Sequence, residues 1–280
     1  MKFFVYSRWF REELKKTTGK IWFFASIGGA FFLVCGFVMI VLTGHYLNTN
    51  FYQLPPLPDL GYRVLPRVLG LMFLDRTGLL TSLILFGVGL SREPHRIPYI
   101  FFIASLWFFI RIISMVITPF GAPQTLPIPP NFNIESIWDL IKSGLGSKHT
   151  LFFSGHTGLP FLGFLIFRSK IRVKILFIPL LFLVAYYLLL MDYDLLWISI
   201  LSFVSIVLFP FRRNVVQLKF VFLVWSFLMA STVLLVRGHY SIDVFGAYFM
   251  TGGIYFFGRY LFRWLEKICE TLESDFKSNN

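Results

Sequence analysis

The stretch GHYSIDV (238–244) carries an imidazole and a carboxylate four residues apart, between the apolar runs FLMASTVLLVR and FGAYFMTGGIYFFG. A second imidazole, His156, opens another apolar run in FFSGHTG (152–158). Ionisable groups at membrane depth are costly and default to function. Helical spacing puts His239 and Asp243 on one face, where the carboxylate accepts the ring N–H, sets the tautomer and favours the cation. Ser154 and Gly155 precede His156 at a predicted helix start, where a hydroxyl and open backbone N–H groups suit an anion. Arg111 lies about two turns inside the outer end of a predicted span and offers a bidentate grip on a phosphate. Arg237, two residues before His239, offers a second, and Arg63, Arg67, Lys148 and His149 add less specific charge. The chemistry these types support is phosphoryl transfer, which two histidines in acid and base roles can split through a covalent intermediate. No His, Cys or Asp spacing matches a metal-ligand pattern, so no metal and no cofactor is expected. His45 and His95 stand isolated.

The elements that must position these groups are membrane helices. Of the 280 residues, 56% are hydrophobic, 36 are Phe and only 14% are charged, at a mean hydropathy of +0.71. A soluble domain carries nearly twice that charge. The fold class is all-α, a polytopic bundle with no strands and no internal repeat. Apolar runs suited to spanning a bilayer occupy 21–43, 69–90, 97–118, 151–167, 175–191, 195–209, 217–236 and 243–262, which makes about eight transmembrane helices. The two cysteines, Cys35 and Cys269, are not expected to pair.

The net charge of +12 follows from topology rather than from nucleic acid as partner. Of 26 Lys and Arg, 19 fall in the first 20 residues, 91–96, 168–174, 210–219 and the tail from Arg259. The positive-inside rule then makes both termini cytoplasmic. Residues 1–20 form a basic cytoplasmic segment, 21–262 the membrane domain and 263–280 a cytoplasmic tail. His156 and His239 both fall on the extracytoplasmic side.

Four stretches in this order resemble the sphingomyelin synthase family, within the type-2 phosphatidic acid phosphatase superfamily. PPLPDLGYRVLP (55–66) is similar to its first-loop element. RIISMVIT (111–118) is similar to its Arg-x-x-Thr/Ser-Met-x-x-Thr element, through Arg111, Ser114, Met115 and Thr118. SGHTG is similar to its Ser-Gly-His-Thr motif, and GHYSIDVFGAYF to its His-Tyr-Thr/Ser-x-Asp motif. The resemblance implies a phosphatidic acid phosphatase-like core. It implies that His239 takes the headgroup, Asp243 orients it and His156 protonates the leaving alcohol. The implied reaction moves phosphocholine or phosphoethanolamine from a phospholipid to ceramide, so the partners are membrane lipids. A lipid phosphate phosphatase is the alternative. The chain departs from the pattern in three places. Thr150 stands where the synthases carry an acidic residue, with Glu135 or Asp139 as replacements. A hairpin at about 175–209 is added to the family's six spans. Val233 stands where the phosphatases carry Arg.

Overall fold

The computed structural model describes residues 17–51, 54–123, 136–137, 139–140, 152–172 and 215–278. Helix covers 81% of them, as the all-α reading requires. Three helical stretches, Trp22–Asn50, Pro94–Ile117 and Leu218–Leu235, are long and apolar enough to cross a membrane. The runs 175–191 and 195–209 lie outside the described residues.

Helix α1 (Thr17–Asn50) carries no Asp, Glu, Lys or Arg after Lys20. Its large side chains face outward; Phe24, Phe31 and Val34 are all exposed. Such a surface suits lipid, because a helix satisfies every backbone amide within itself. The opposite face is cut back by Gly29 and Gly36. A Cβ at Gly29 would sit 2.8 Å from that of Phe101, and one at Gly36 3.0 Å from that of Phe108. These small residues let the backbone of α1 approach its partner closely.

That partner belongs to the next set of elements. After the short helix α2 (Leu60–Val64) come α3 (Met72–Arg92) and α4 (Ile97–Ile117). Helix α5 (Gly155–Ile166) follows, then α6 (Leu218–Leu235) and α7 (Ser241–Ser278). Helix α1 packs on α4, α5 on α6, and α7 on both α4 and α5. The core between them is aromatic. The rings of Phe167 and Phe222 stack at 5.3 Å and 9°, with Phe86 edge-on to each at 5.2 Å. Gly89 and Gly163 leave the room these rings occupy. Trp107 on α4 donates its indole N–H to Thr251 on α7 at 2.9 Å, so a buried polar handle finds its partner.

One expectation changes. The chain holds a strand pair, β1 (Lys170–Arg172) antiparallel to β2 (Val215–Gln217), with Lys170 opposite Gln217. Backbone leaving α5 and entering α6 has no helical partners for its amides, and pairing the two segments satisfies them. It also places Arg172 opposite Val215. Helix α7 runs on through residues 263–278 without a break.

Glu93 ties the α3–α4 corner to the end of α5. Its carboxylate is buried, accepts the backbone N–H groups of Arg168 at 2.7 Å and Ser169 at 2.5 Å, and pairs with Arg96. Arg96 in turn donates to the carbonyl of Ile166 at 2.9 Å. Burial by itself would raise the Glu93 pKa, but these donors outweigh it and hold the carboxyl below its ordinary value. A depressed carboxylate contributes stability above its unfolded-state pKa and loses it as pH falls through the native value. Glu93→Gln is therefore expected to cost about 2 kcal/mol at neutral pH. Thermal melts in detergent should show the gap between wild type and variant closing as the pH drops below the ordinary carboxylate range.

Candidate active site

His239 does not sit on the helix that carries Asp243. Helix α6 ends at Leu235, Arg237 takes a left-handed φ of 58°, and α7 begins at Ser241. The imidazole therefore hangs from a turn between two helices. Its Nδ1 is 3.7 Å from Asp243 Oδ2, which is Coulombic range rather than a hydrogen bond. That same oxygen accepts the backbone N–H of Tyr240 at 3.0 Å, the return leg of a helix-capping arrangement. The i,i+4 spacing thus brings the two side chains together by capping and not by a shared helical face.

The turn is held from outside by the loop that precedes α2. Asp59 accepts from the backbone N–H of Ser241 at 2.7 Å and from its hydroxyl at 2.8 Å, and caps α2 through Tyr62 N–H at 3.1 Å. Tyr62 donates its hydroxyl to the carbonyl of His239 at 2.7 Å. Tyr240 accepts from Leu57 N–H at 2.8 Å and donates to the carbonyl of Gly121 at 2.9 Å. Arg237 donates to the carbonyl of Tyr62 at 3.1 Å and lies 5.5 Å over its ring. These contacts of Arg237 are with the clamp itself. The Tyr62 hydroxyl sits far above its ordinary pKa because of burial and then the nearby Asp59 carboxylate, so it stays a donor.

His156 comes from the other side. Ser154 stands before α5 and donates its N–H to the carbonyl of Asp243 at 3.1 Å, which ties the start of α5 to the start of α7. The rings of His156 and His239 lie edge to face, with centroids 5.9 Å apart. Arg111 reaches in from α4, donating its Nε–H to the carbonyl of Phe153 at 3.0 Å, within Coulombic reach of Asp243 and His156. A Cβ on Gly155 would sit 2.7 Å from Arg111 Nη1. The glycine therefore makes room for the guanidinium, where backbone approach to an anion was its expected role. Ser114 and Thr118 turn back onto carbonyls of their own helix at 2.9 and 2.6 Å, while Met115 is buried.

The structure adds a residue that the motifs did not supply. Asp75, in the first turn of α3, hydrogen-bonds His156 through its backbone and lies within Coulombic reach of its ring. Its carboxylate oxygens are 3.6 and 3.7 Å from where a Cβ on Gly238 would stand, beside His239. Asp139, expected as a replacement for the acid missing at Thr150, instead accepts from the hydroxyl of Ser136 at 2.7 Å. Glu135, Lys148, His149 and Thr150 lie outside the described residues. The signal for Asp75 was available. It is the single acidic residue within the predicted span 69–90, and a carboxylate there needs a reason.

Among the described residues, Ser154 Oγ, His239 Nδ1 and Asp243 Oδ1, like Thr157 Oγ1 and Ser169 Oγ, are buried side-chain atoms without a hydrogen-bond partner. Each such atom costs about 1–3 kcal/mol, and the first three lie where α5 and α7 meet, open to use by a ligand or a reaction. The geometry therefore offers a hydroxyl donor, an imidazole nitrogen, a carboxylate oxygen, a guanidinium and a second imidazole around one point. No family model matches the chain, and no curated protein does.

Asp59→Ala is expected to free the start of α7. Losing two hydrogen bonds to a charged acceptor should speed amide exchange across 239–243 by about 10- to 100-fold. Hydrogen-exchange mass spectrometry should find α1 unchanged in the same variant.

Proposed function

We propose that the protein is an integral membrane lipid headgroup phosphotransferase, moving phosphocholine or phosphoethanolamine from a phospholipid to ceramide or a similar lipid alcohol. The observation that carries this reading is the cluster of unpartnered buried atoms on Ser154, His239 and Asp243, with Arg111 and His156 around it. Three of the four stretches that resemble the sphingomyelin synthases contribute these residues. The reading includes a bundle of about eight spans with a phosphatidic acid phosphatase-like core. Both termini are cytoplasmic, and the site opens on the extracytoplasmic side.

Each residue then has a task. Arg111 and the Ser154 hydroxyl hold the non-bridging phosphate oxygens of the donor. His239 attacks phosphorus through Nε2 while the bond from phosphorus to the diacylglycerol oxygen breaks. Protonated His156 gives its proton to that oxygen, and diacylglycerol leaves. Asp243, beside His239 Nδ1, balances the charge on the phosphorylated ring. The acceptor hydroxyl then gives its proton to His156 and attacks phosphorus as the phosphorus–nitrogen bond breaks. The product is a phosphodiester lipid, and both histidines return to their starting states. Asp75 orients His156 and offsets the charge of its protonated ring.

With water as acceptor, the same steps make a lipid phosphate phosphatase. Val233 favours the lipid acceptor. It is buried in an apolar cluster with Met229, Ala230 and Val244, at the position where the phosphatases carry Arg. The test is incubation of purified protein with fluorescent ceramide and a panel of phospholipids, followed by product identification. Phosphate released from phosphatidic acid, with no product from added lipid alcohols, would establish the phosphatase instead.

Loss of His239 should be the most severe lesion. His239→Ala is expected to lower turnover on the order of 10⁶-fold, and His156→Ala by about 10² to 10⁴. Turnover should persist in EDTA. Wild-type rates in purified His239→Ala protein would refute the assignment of the nucleophile.

Sidedness has its own test. A cysteine introduced in 121–134 is expected to react with an impermeant maleimide from outside. One in 211–216 should react only after the membrane is opened. The opposite labelling would put the site on the cytoplasmic face.

A further inference from the structure

The end of the bundle remote from the histidines holds a basic cavity of about 310 Å³. Arg96, Arg168, Arg259 and Arg263 line it, with Glu266 as the one acidic residue of its wall among the described residues. Trp22 and Tyr99 also border it, and the Trp22 indole donates to the carbonyl of His95 at 3.2 Å. Amphipathic aromatic rings of this kind sit at the headgroup level of a bilayer. Asp243 and Phe262 lie 19 residues apart on α7, so about 28 Å of helix separates this cavity from the histidine site.

The basic cavity adjoins an apolar groove of about 740 Å³ between α1, α4 and α7, and the two share Trp22, Pro98, Phe262 and Glu266. Phe32, Phe102, Leu106 and Phe109 wall the groove. Gly28, also on its wall, has nothing within 4 Å of where its Cβ would be, so the chain leaves this space open. Both volumes fall within the range of small-ligand sites.

A pocket with arginines at headgroup depth and an apolar trough below has the polarity of one kind of molecule. The geometry points to a second lipid site, for an anionic glycerophospholipid whose headgroup sits among Arg96, Arg168, Arg259 and Arg263 and whose acyl chains lie in the groove. Basic pockets between membrane helices hold anionic headgroups in this way. Four arginines against the one carboxylate of Glu266 give the cavity the charge that attracts an anionic lipid. The inference does not depend on the reaction proposed above.

Cys269 lines the groove and is exposed, so it reports occupancy. In a Cys35→Ala chain it is the single thiol. The rate of its modification by a maleimide is measured in nanodiscs of phosphatidylcholine with increasing phosphatidylglycerol. Phosphatidylglycerol is expected to slow the reaction saturably, while glycerol phosphate at the same concentration leaves it unchanged. Arg259→Gln should raise the lipid fraction needed for half protection about fivefold, and Arg259→Gln with Arg263→Gln roughly 30-fold. Thermal melts and turnover of these variants should match wild type. Equal protection in pure phosphatidylcholine overturns the proposal, as does protection by glycerol phosphate alone. So does protection that disappears when 2–16 are deleted, or that rises with protein concentration without anionic lipid. Unchanged half protection in the folded double variant overturns it as well.

Discussion

The carboxylate of Asp59, accepting both the N–H and the hydroxyl of Ser241, is the contact on which the geometry of the histidine site depends. His239 lies on a turn between two helices, where its N–H and that of Gly238 reach back to the carbonyl of Val233 on α6 at 3.3 and 2.8 Å. Asp59 pins the first residue of α7, and Tyr62, three residues on, pins the carbonyl of His239. One short loop therefore fixes the imidazole from behind and leaves its Nδ1 turned toward Asp243.

The same economy governs the other side of the site. Ser154 joins the start of α5 to the start of α7 through one backbone hydrogen bond, to the carbonyl of Asp243. Arg111 enters from α4 through the gap that Gly155 leaves. A desolvated guanidinium is expensive, and here it is offset by the Phe153 carbonyl and the nearby Asp243 carboxylate. Five segments of chain thus converge at one end of the bundle, and Ser154, His239 and Asp243 are among the residues that keep a buried polar atom unpartnered there.

The opposite end is built differently. Glu93 and Arg96 satisfy the backbone where α3, α4 and α5 meet, and the other arginines face a cavity open to the surroundings. The glycines and phenylalanines between the two ends set how closely the helices approach. Where a glycine receives a ring, as Gly163 receives Phe222, the interior is closed; where Gly28 receives nothing, a groove remains.

Much of this was legible in the residues alone. Low charge and long apolar runs determine a mostly helical chain with helices long and apolar enough to cross a membrane, because only internally bonded backbone is tolerated in lipid. Ionisable residues inside such runs single out His156, His239, Asp243 and Arg111, since burying them without a purpose is too costly. The strands β1 and β2 were missed because a three-residue pairing has no periodicity to read. Tertiary structure decided the rest. That Gly155 makes way for Arg111, that Arg237 serves the Tyr62 clamp, and that Asp75 is the carboxylate at His156 are facts of packing between segments far apart in the chain. Spacing along one helix encodes what its own turns bring together. It does not encode which face of α3 meets α5, because that choice belongs to the mutual fit of glycines and side chains on both.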